Sequence, residues 1–393
     1  MPAIRVLSFD HVAAILDGIN INDVLTSQAK AFHAYSANNT QTPQRETLIT
    51  PYHRTLIMPA RIDTLTSVIK VVSIPHKDSK DGLPGVTIVL DNETGEPKGL
   101  VNARLLTPIR TAAASALATR AIFTAKESQR AVPERLTLVV FGSGAQAKAH
   151  IQLLIHILPQ MRNVIICNRT LPRAQALVDD LQRRYTNTNK SDNEKLNIVA
   201  FSMTTGESTG PIYAGSTSSM MSSTSSPQKP TQDPIQAQLR DIVQSADVIC
   251  TCTNSRQALF PGEWVKPGTH LNMVGSFTPE MHEVDQSLIQ RAFTLADAHR
   301  ECEEEAGEFI LAKSQTGDNG ILTELGLIHD QDGRLDLASL PKEFSVAALS
   351  SSTVKGNKDV TIFKSVGIAA QDVAITAQVL ERAEALNLGS CDI

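Results

Sequence analysis

Residues 136–141, Leu-Thr-Leu-Val-Val-Phe, form a short apolar run that stops at Gly142-Ser143-Gly144 and passes at once into the helix-like stretch Ala145-Gln146-Ala147-Lys148-Ala149. This strand, tight turn and helix constrain the fold more than any other segment. In the pattern G-x-G-x-x-A the first glycine permits the turn. The second lets the backbone approach a pyrophosphate, and the small Ala147 lets the helix pack closely on the strand. Free N–H groups at the helix start add donors and partial positive charge for an anion. With the strand before it and the helix after it, the motif predicts a dinucleotide site at Gly142, Ser143, Gly144, Ala145 and Gln146.

The second apolar run, Asn163–Cys167, ends in Asn168-Arg169-Thr170. A chain that binds NAD normally places Asp or Glu here to accept from the ribose 2′-hydroxyl. No carboxylate stands here to repel a 2′-phosphate. Arg169 can pair with that phosphate and Thr170 can hydrogen-bond to it. The expected cofactor is NADP(H), with NAD(H) as the alternative.

The texture beyond residue 136 alternates strand and helix: Leu136–Phe141, Gln146–Leu158, Asn163–Cys167, Pro172–Tyr185, Leu196–Phe201, Ile235–Ser245, Asp247–Thr251 and His270–Val274. That alternation predicts an α/β class with a Rossmann-type, doubly wound parallel sheet. Residues 186–234 interrupt it with Ser, Thr, Asn, Pro and Gly, a composition that buries too little apolar area to offset ordering, and a mobile surface insertion is expected. Residues 1–130 mix helix and strand. Ser67–Ile74 reads as a strand, and Val86–Leu90 and Gly99–Ala103 flank a hairpin loop. Thr107 and Pro108 then suit the N-cap and first position of an Ala-rich helix running to about Phe123. At the far end, Asp359–Phe363 is strand-like and Val366–Leu386 is a long amphipathic helix. The expected organisation is a dinucleotide domain at 131–354 inserted in an α+β substrate and dimerisation domain made of 1–130 and completed by 355–393.

A chain of 393 residues accommodates two such domains. Its net charge of −5 exerts no global pull toward nucleic acid or anionic membrane. No apolar run approaches the ~18 residues of a membrane span, and the N-terminus lacks a signal-peptide core. The five cysteines lack paired metal spacing, which points to a reducing, cytoplasmic setting. Cys250 and Cys252 share a strand face and read as small buried side chains. The histidines form no ligand pair, so no metal site is expected.

Three cations in the first domain compose a candidate substrate site. Arg110 falls at the third position of the predicted helix, where a carboxylate gains from both guanidinium and helix terminus. Lys70 lies between Val68 and Val72 in a strand, a poor place for a lysine unless it faces a cleft. Arg45 sits in the polar segment Gln44-Arg45-Glu46. From spacing alone surface ion pairs for the arginines, Arg45 above all, and a snorkelling side chain for Lys70 are the competing readings. The acidic run Glu301–Glu305 reads as a solvated helix face.

Over nearly its whole length the chain resembles the ornithine cyclodeaminase/mu-crystallin family. The resemblance is carried by Met58-Pro59-Ala60, the Lys70 strand, Arg110-Thr111-Ala112-Ala113, Gly142–Ala147, Asn168-Arg169-Thr170, Ala246-Asp247-Val248-Ile249, Trp264-Val265-Lys266-Pro267-Gly268, Asn272-Met273-Val274-Gly275 and Phe363-Lys364-Ser365-Val366-Gly367. The insertion at 186–234 is foreign to that pattern. The resemblance implies a homodimer. It also implies that Arg45, Lys70 and Arg110 bind an α-carboxylate and its neighbouring nitrogen-bearing carbon. Thr251, Cys252, Thr253, Val274 and Ser276 would line the nicotinamide channel, and Ser365, Val366 and Gly367 would approach the ring or substrate.

The chain departs from the cyclodeaminase pattern at one point. Those enzymes carry Asp after Val-Gly-Gly and a Lys four residues beyond; here Phe277 and Met281 stand in their places. Phe277 accepts no proton and binds no ammonium group by ion pairing. Members with an apolar or neutral residue here look like ketimine reductases. The expected activity is therefore NADPH-dependent reduction of a cyclic α-imino acid of the pyrroline- or piperideine-2-carboxylate type. Ornithine cyclodeaminase, an alanine-type amino-acid dehydrogenase and a crystallin-like NADPH-binding protein are the alternatives.

Overall fold

The computed structural model describes residues 4–75, 82–128, 132–185, 195–204, 234–317, 320–344 and 358–389. A first sheet gathers β1 (Arg5–Leu7), β2 (Thr40–Gln41), β3 (Glu46–Ile49), β4 (His53–Ile62), β5 (Ser67–Pro75), β6 (Gly85–Leu90) and β7 (Pro97–Asn102). Its order is β1-β7-β6-β5-β4-β2, and β3 also pairs with β4. Strands β4 to β7 are antiparallel neighbours, while β1 joins β7 in parallel. β4 and β5 bury alternate residues, as the two-residue period of a one-sided sheet requires. The β6–β7 hairpin forms as expected. Asp91 Oδ1 accepts from the Glu93 and Thr94 amides at 2.9 Å each, and Gly95 turns the chain at φ +74°.

Helices α1 (Phe9–Asp17), α2 (Ile21–Ser36) and α3 (Leu106–Glu127) pack with this sheet in one apolar core. α3 buries residues all round its circumference, the mark of a helix enclosed in a core rather than laid on a surface. Its run of alanines allows that close approach. It starts earlier than predicted: Leu106 is the first helical residue, and the Thr107 hydroxyl donates back to the Ala103 carbonyl (3.4 Å) instead of capping. Arg110 consequently lies in the second turn, one turn away from the free N–H groups.

The second sheet has eight strands, all paired in parallel, in the order β10-β9-β8-β11-β12-β15-β13-β14. They are β8 (Leu136–Phe141), β9 (Met161–Asn168), β10 (Asn197–Ser202), β11 (Val248–Thr251), β12 (His270–Met273), β13 (Ala292–Ala296), β14 (Ile321–Glu324) and β15 (Val360–Lys364). β8, β11, β12, β13 and β15 are buried at every position, as in a parallel sheet covered on both faces. Helices α4 (Ala145–Ile157), α5 (Leu171–Tyr185), α6 (Pro234–Ser245), α7 (Gln286–Gln290), α8 (His299–Glu305) and α9 (Gly307–Thr316) join the strands. The α/β, Rossmann-type reading of this half holds.

Two boundaries differ from the sequence expectation. The tail 355–393 divides: β15 enters the middle of the parallel sheet, between β12 and β13, and only α10 (Ala369–Ala385) packs on the first sheet and α2. An apolar strand gains more from two parallel neighbours than from an edge position on the smaller sheet. The stretch 186–234 is also not uniformly an insertion. Residues 197–202 are β10, hydrogen-bonded to β9 along its length. Residues 186–194 and 205–233 lie outside the described residues. Among the described residues no helix is long and apolar enough to cross a membrane.

Candidate active site

Because the second sheet is parallel, the carboxyl ends of its strands share one edge. Gly142 follows β8, Asn168 closes β9, Thr251 to Thr253 close β11, Val274 to Ser276 follow β12, and Ser365 to Gly367 follow β15. Ligands of doubly wound sheets bind at this edge.

The glycine turn fits a pyrophosphate. Gly142 has φ +108°, and a Cβ there would stand 2.6 Å from the Cys252 carbonyl oxygen, so only glycine is accommodated. Gly144 differs: a Cβ there would meet nothing within 4 Å. The space beside it is open, and Gly144 caps α4 with no side chain covering the helix N–H groups. The Gly142 amide donates to the Cys167 carbonyl (2.9 Å), which ties this turn to the end of β9. There Asn168 Nδ2 donates to the Thr170 carbonyl (2.9 Å), and the Thr204 hydroxyl donates to the Arg169 carbonyl (3.0 Å). The Arg169 and Thr170 side chains are exposed.

Two buried acids shape the neighbouring loops. Glu283 accepts from the Thr253 amide and hydroxyl, each at 2.7 Å, and from the Gly275 amide at 2.9 Å, so it locks the β11 and β12 loops together. Burial raises its pKa, opposed by the Thr253 hydroxyl and Lys364. Asp297, just past β13, accepts from the Ser365 hydroxyl (2.6 Å) and the Gly367 amide (2.7 Å). Ser276 is fully buried, with its hydroxyl donating to the Met281 carbonyl (2.8 Å) and hydrogen-bonded to Glu308, so it secures its loop from inside. Cys250 is fully buried and burial pushes its thiol, like that of Cys252, upward. Phe277 packs its ring against the apolar core of the parallel sheet.

The three cations meet on the segment that leaves β15. Arg45 Nη2 donates to the Gly367 carbonyl (3.1 Å). Gly367, at φ +83°, runs so close to Arg110 that a Cβ would lie 2.5 Å from Nη1. Arg110 Nη1 donates to Gln371 Oε1 (3.0 Å), and Gln371 Nε2 returns a bond to the Arg110 carbonyl (2.9 Å). Lys70 Nζ donates to Asp372 Oδ2 at 2.6 Å, and Arg110 Nε reaches Asp372 Oδ1 at 3.3 Å. Lys70 and Asp372 are both 2% exposed at the side chain. Burial pulls the Lys70 ammonium down to about 8, opposed by Asp372 and assisted by Arg110 and Arg45. Burial works to raise the Asp372 carboxyl, but Lys70 and Arg110 outweigh it and hold it below its ordinary value.

Asp372 was not among the sequence candidates. Its signal was present: an acid between Ala370 and Val373 in a stretch apolar on both sides. Near a helix start such an acid reads as a dipole partner. The acidic run, expected as a solvated helix face, is solvated only in part: Glu304 is exposed, but Glu301 and Glu305 are half-buried. Glu301 accepts from the Tyr35 hydroxyl (2.6 Å), and Glu305 pairs with Arg45 (3.0 Å). Both line a cleft with Arg45, Met58, Gly367 and Ile368. Burial raises Glu305 to about 7, against the pull of Arg45 and with help from Asp297, Glu301 and Glu304. Asp372 thus pairs with Lys70 and Arg110 and Glu305 with Arg45, while Arg300, Glu301 and Glu304 also line the cleft. Among the described residues no group of three His, Cys, Asp or Glu is placed to hold a metal.

The model of the ornithine cyclodeaminase/mu-crystallin family matches residues 6–214 and 231–387, so the stretch foreign to the pattern narrows from 186–234 to 215–230. A Delta(1)-pyrroline-2-carboxylate reductase of Bacillus cereus is 27% identical over 377 residues, covering 94% of this chain and 95% of the relative. Protein SAR DEFICIENT 4 of Arabidopsis thaliana is 30% identical over 318 residues, 79% of this chain and 76% of that one. The solved Delta(1)-pyrroline-2-carboxylate reductase of Thermococcus litoralis, in complex with NADH and L-proline, superposes with a TM-score of 0.73 at 19% identity, covering 98% of this chain and 99% of that one. By a family match that spans both sheets, the chain belongs to the ornithine cyclodeaminase/mu-crystallin family.

Proposed function

We propose that this chain is a nicotinamide-dependent reductase of the C=N bond of a cyclic α-imino acid of the pyrroline- or piperideine-2-carboxylate type, with NADPH preferred over NADH. The observation that carries the reading is the convergence of Arg45, Lys70 and Arg110 on residues 367–372, immediately past the strand edge that holds the glycine turn. Clustered guanidinium and ammonium groups suit a carboxylate ligand. Lys70 then faces the adjacent nitrogen.

A bound dihydronicotinamide supplies hydride to the imine carbon. Gly142, Ser143, Gly144, Ala145 and Gln146 would hold its pyrophosphate, and Asn168, Arg169 and Thr170 the adenosine ribose with its phosphate. Thr251, Cys252, Thr253, Val274, Ser365, Val366 and Gly367 would shape the nicotinamide end. Ser276 would act there only by holding its loop. The cations supply binding and orientation, and the walls exclude water. The name of the Bacillus cereus relative supports the substrate class. The NADH held by the Thermococcus litoralis protein supports a nicotinamide cofactor. The NADPH preference rests on Arg169 and on the lack of a carboxylate at the end of β9. Phe277, committed to apolar packing, disfavours the cyclodeaminase alternative.

The test is oxidation of NADPH on addition of a five- or six-membered cyclic α-imino acid, followed by nicotinamide absorbance. Lys70→Ala is expected to lose roughly 100-fold or more in turnover while still binding NADPH. No oxidation with either ring size, or proline from ornithine without net NADPH use, overturns the reading.

A further inference from the structure

We propose that Asp372 is the positioning residue that keeps Lys70 charged and aimed, so that Lys70 is the group that gives the substrate nitrogen its proton. The inference rests on the reductase reading for the identity of that nitrogen, but not for the behaviour of Lys70 itself.

The argument begins with the charges around Nζ. Lys70 sits on β5 between β4 and β6, and the residues opposite it in register, Met58 and Thr87, carry no charge. From α3 it faces Arg110, and from the β2–β3 connection Arg45, both of its own sign. From α10 it faces Asp372, the one anion in direct contact among the described residues. Glu305 on α8 is engaged by Arg45 instead. A lysine buried beside two guanidiniums without a counter-ion sheds its proton below neutrality, because burial and like charge both disfavour the ammonium form. With Asp372 in place Lys70 titrates at about 8. It is therefore mostly protonated at neutral pH, yet poised near enough to release the proton.

The geometry adds a second role. One carboxylate binds both cations, Oδ2 on Lys70 Nζ at 2.6 Å and Oδ1 on Arg110 Nε at 3.3 Å. It thereby ties together the group that would take the substrate carboxylate and the group that would face the neighbouring nitrogen. Asp372 is in turn held through its neighbour: both amide atoms of Gln371 bond Arg110, and the Gln371 backbone carbonyl accepts from Gln28 Nε2 (3.1 Å). In the step itself a Lys70 Nζ–H bond breaks as an N–H bond forms on the ring nitrogen. Lys70 is left as a neutral amine paired to the Asp372 carboxylate and regains a proton from solvent.

The experiment reads Lys70 directly. In protein carrying 13C-labelled lysine, the Lys70 Cε resonance, assigned by its loss in Lys70→Met, is followed against pH. The expected midpoint lies near 8 in the parent. In Asp372→Asn it falls by more than about one pH unit, and Asp372→Glu restores it. The alkaline limb of kcat/KM for imino-acid reduction moves with it. If Asp372→Asn does not fold, Arg110→Gln serves in its place, and removing a like charge moves the midpoint upward. A Lys70 midpoint near that of free lysine, or one unmoved by both Asp372→Asn and Arg110→Gln, overturns the proposal even if the enzyme reduces imines. Titration as expected in a protein that reduces no imine leaves the Lys70–Asp372 coupling intact and sinks the substrate assignment.

Discussion

At the scale of single residues, Gly142 and Gly144 belong to one motif and perform different tasks. Gly142 is needed by the fold: φ +108° and the Cys252 carbonyl 2.6 Å from a would-be Cβ leave no room for alanine. Gly144 faces open space, so its missing side chain serves the ligand. Gly142→Ala should destabilise the cofactor-free protein by about 1–3 kcal/mol, seen in chemical denaturation. Gly144→Ala should denature like the parent yet bind NADPH roughly tenfold or more weakly, about 1.4 kcal/mol, seen by calorimetry. The reverse pattern would contradict these roles. Arg169 lies at the exposed end of β9. Arg169→Ala should raise the KM for NADPH by roughly 10- to 100-fold, the worth of a charged hydrogen bond, with little change for NADH. An equal loss for both cofactors would show that Arg169 does not read the 2′-phosphate.

At the scale of elements, β15 and α10 are consecutive in sequence and work in different halves of the protein. β15 lies inside the parallel sheet and α10 packs on the first sheet. The short link between them, Ser365 to Ile368, therefore has to pass through the site. Asp297 pins it from below, while Arg45 and Arg110 press on Gly367 from the other side. Helix α8 supplies the opposing charge through Glu305. A substrate carboxylate must compete with Glu305 for Arg45, and Glu305 gains its charge as pH rises through about 7. The KM for the imino acid should therefore rise with pH across that range. Glu305→Gln should remove that rise and lower the KM at neutral pH roughly two- to fivefold, the scale of one partly exposed ion pair. A steady-state pH series on both proteins checks this, and an unchanged pH dependence would dismiss the competition.

At the scale of the whole molecule, β3 pairs only with β4 among the described residues and is exposed along its length. Leu48 and Ile49 are 58% and 71% exposed, and Tyr52 beyond them 80%. An apolar edge of this kind invites association with another copy. It fits the homodimer that the family resemblance implies, so Ile49→Lys should shift the protein toward monomer in sedimentation velocity. A parent that sediments as a monomer would remove the proposal. Much of the fold was legible beforehand. The period-two strands, the buried apolar runs and the glycine turn are local patterns, and local patterns report local structure. The cations were legible as candidates because Lys70 in an apolar strand and Arg110 in an alanine-rich helix are costly unless they serve a site. Asp372, Asp297 and Glu305 were not, because each is unremarkable in its own helix or strand end. They become functional only when segments distant in the chain meet, about 70 residues apart for Asp297 and more than 250 for Asp372 and Glu305. The sequence alone thus determined the parallel sheet, the dinucleotide turn and the identity of the three cations, since each depends on neighbours within one strand or helix. Only the tertiary structure decided that β15 crosses into the parallel sheet and that Asp372 bridges Lys70 and Arg110. Strand pairing and buried charge are settled by contacts at long sequence separation, which no local pattern encodes.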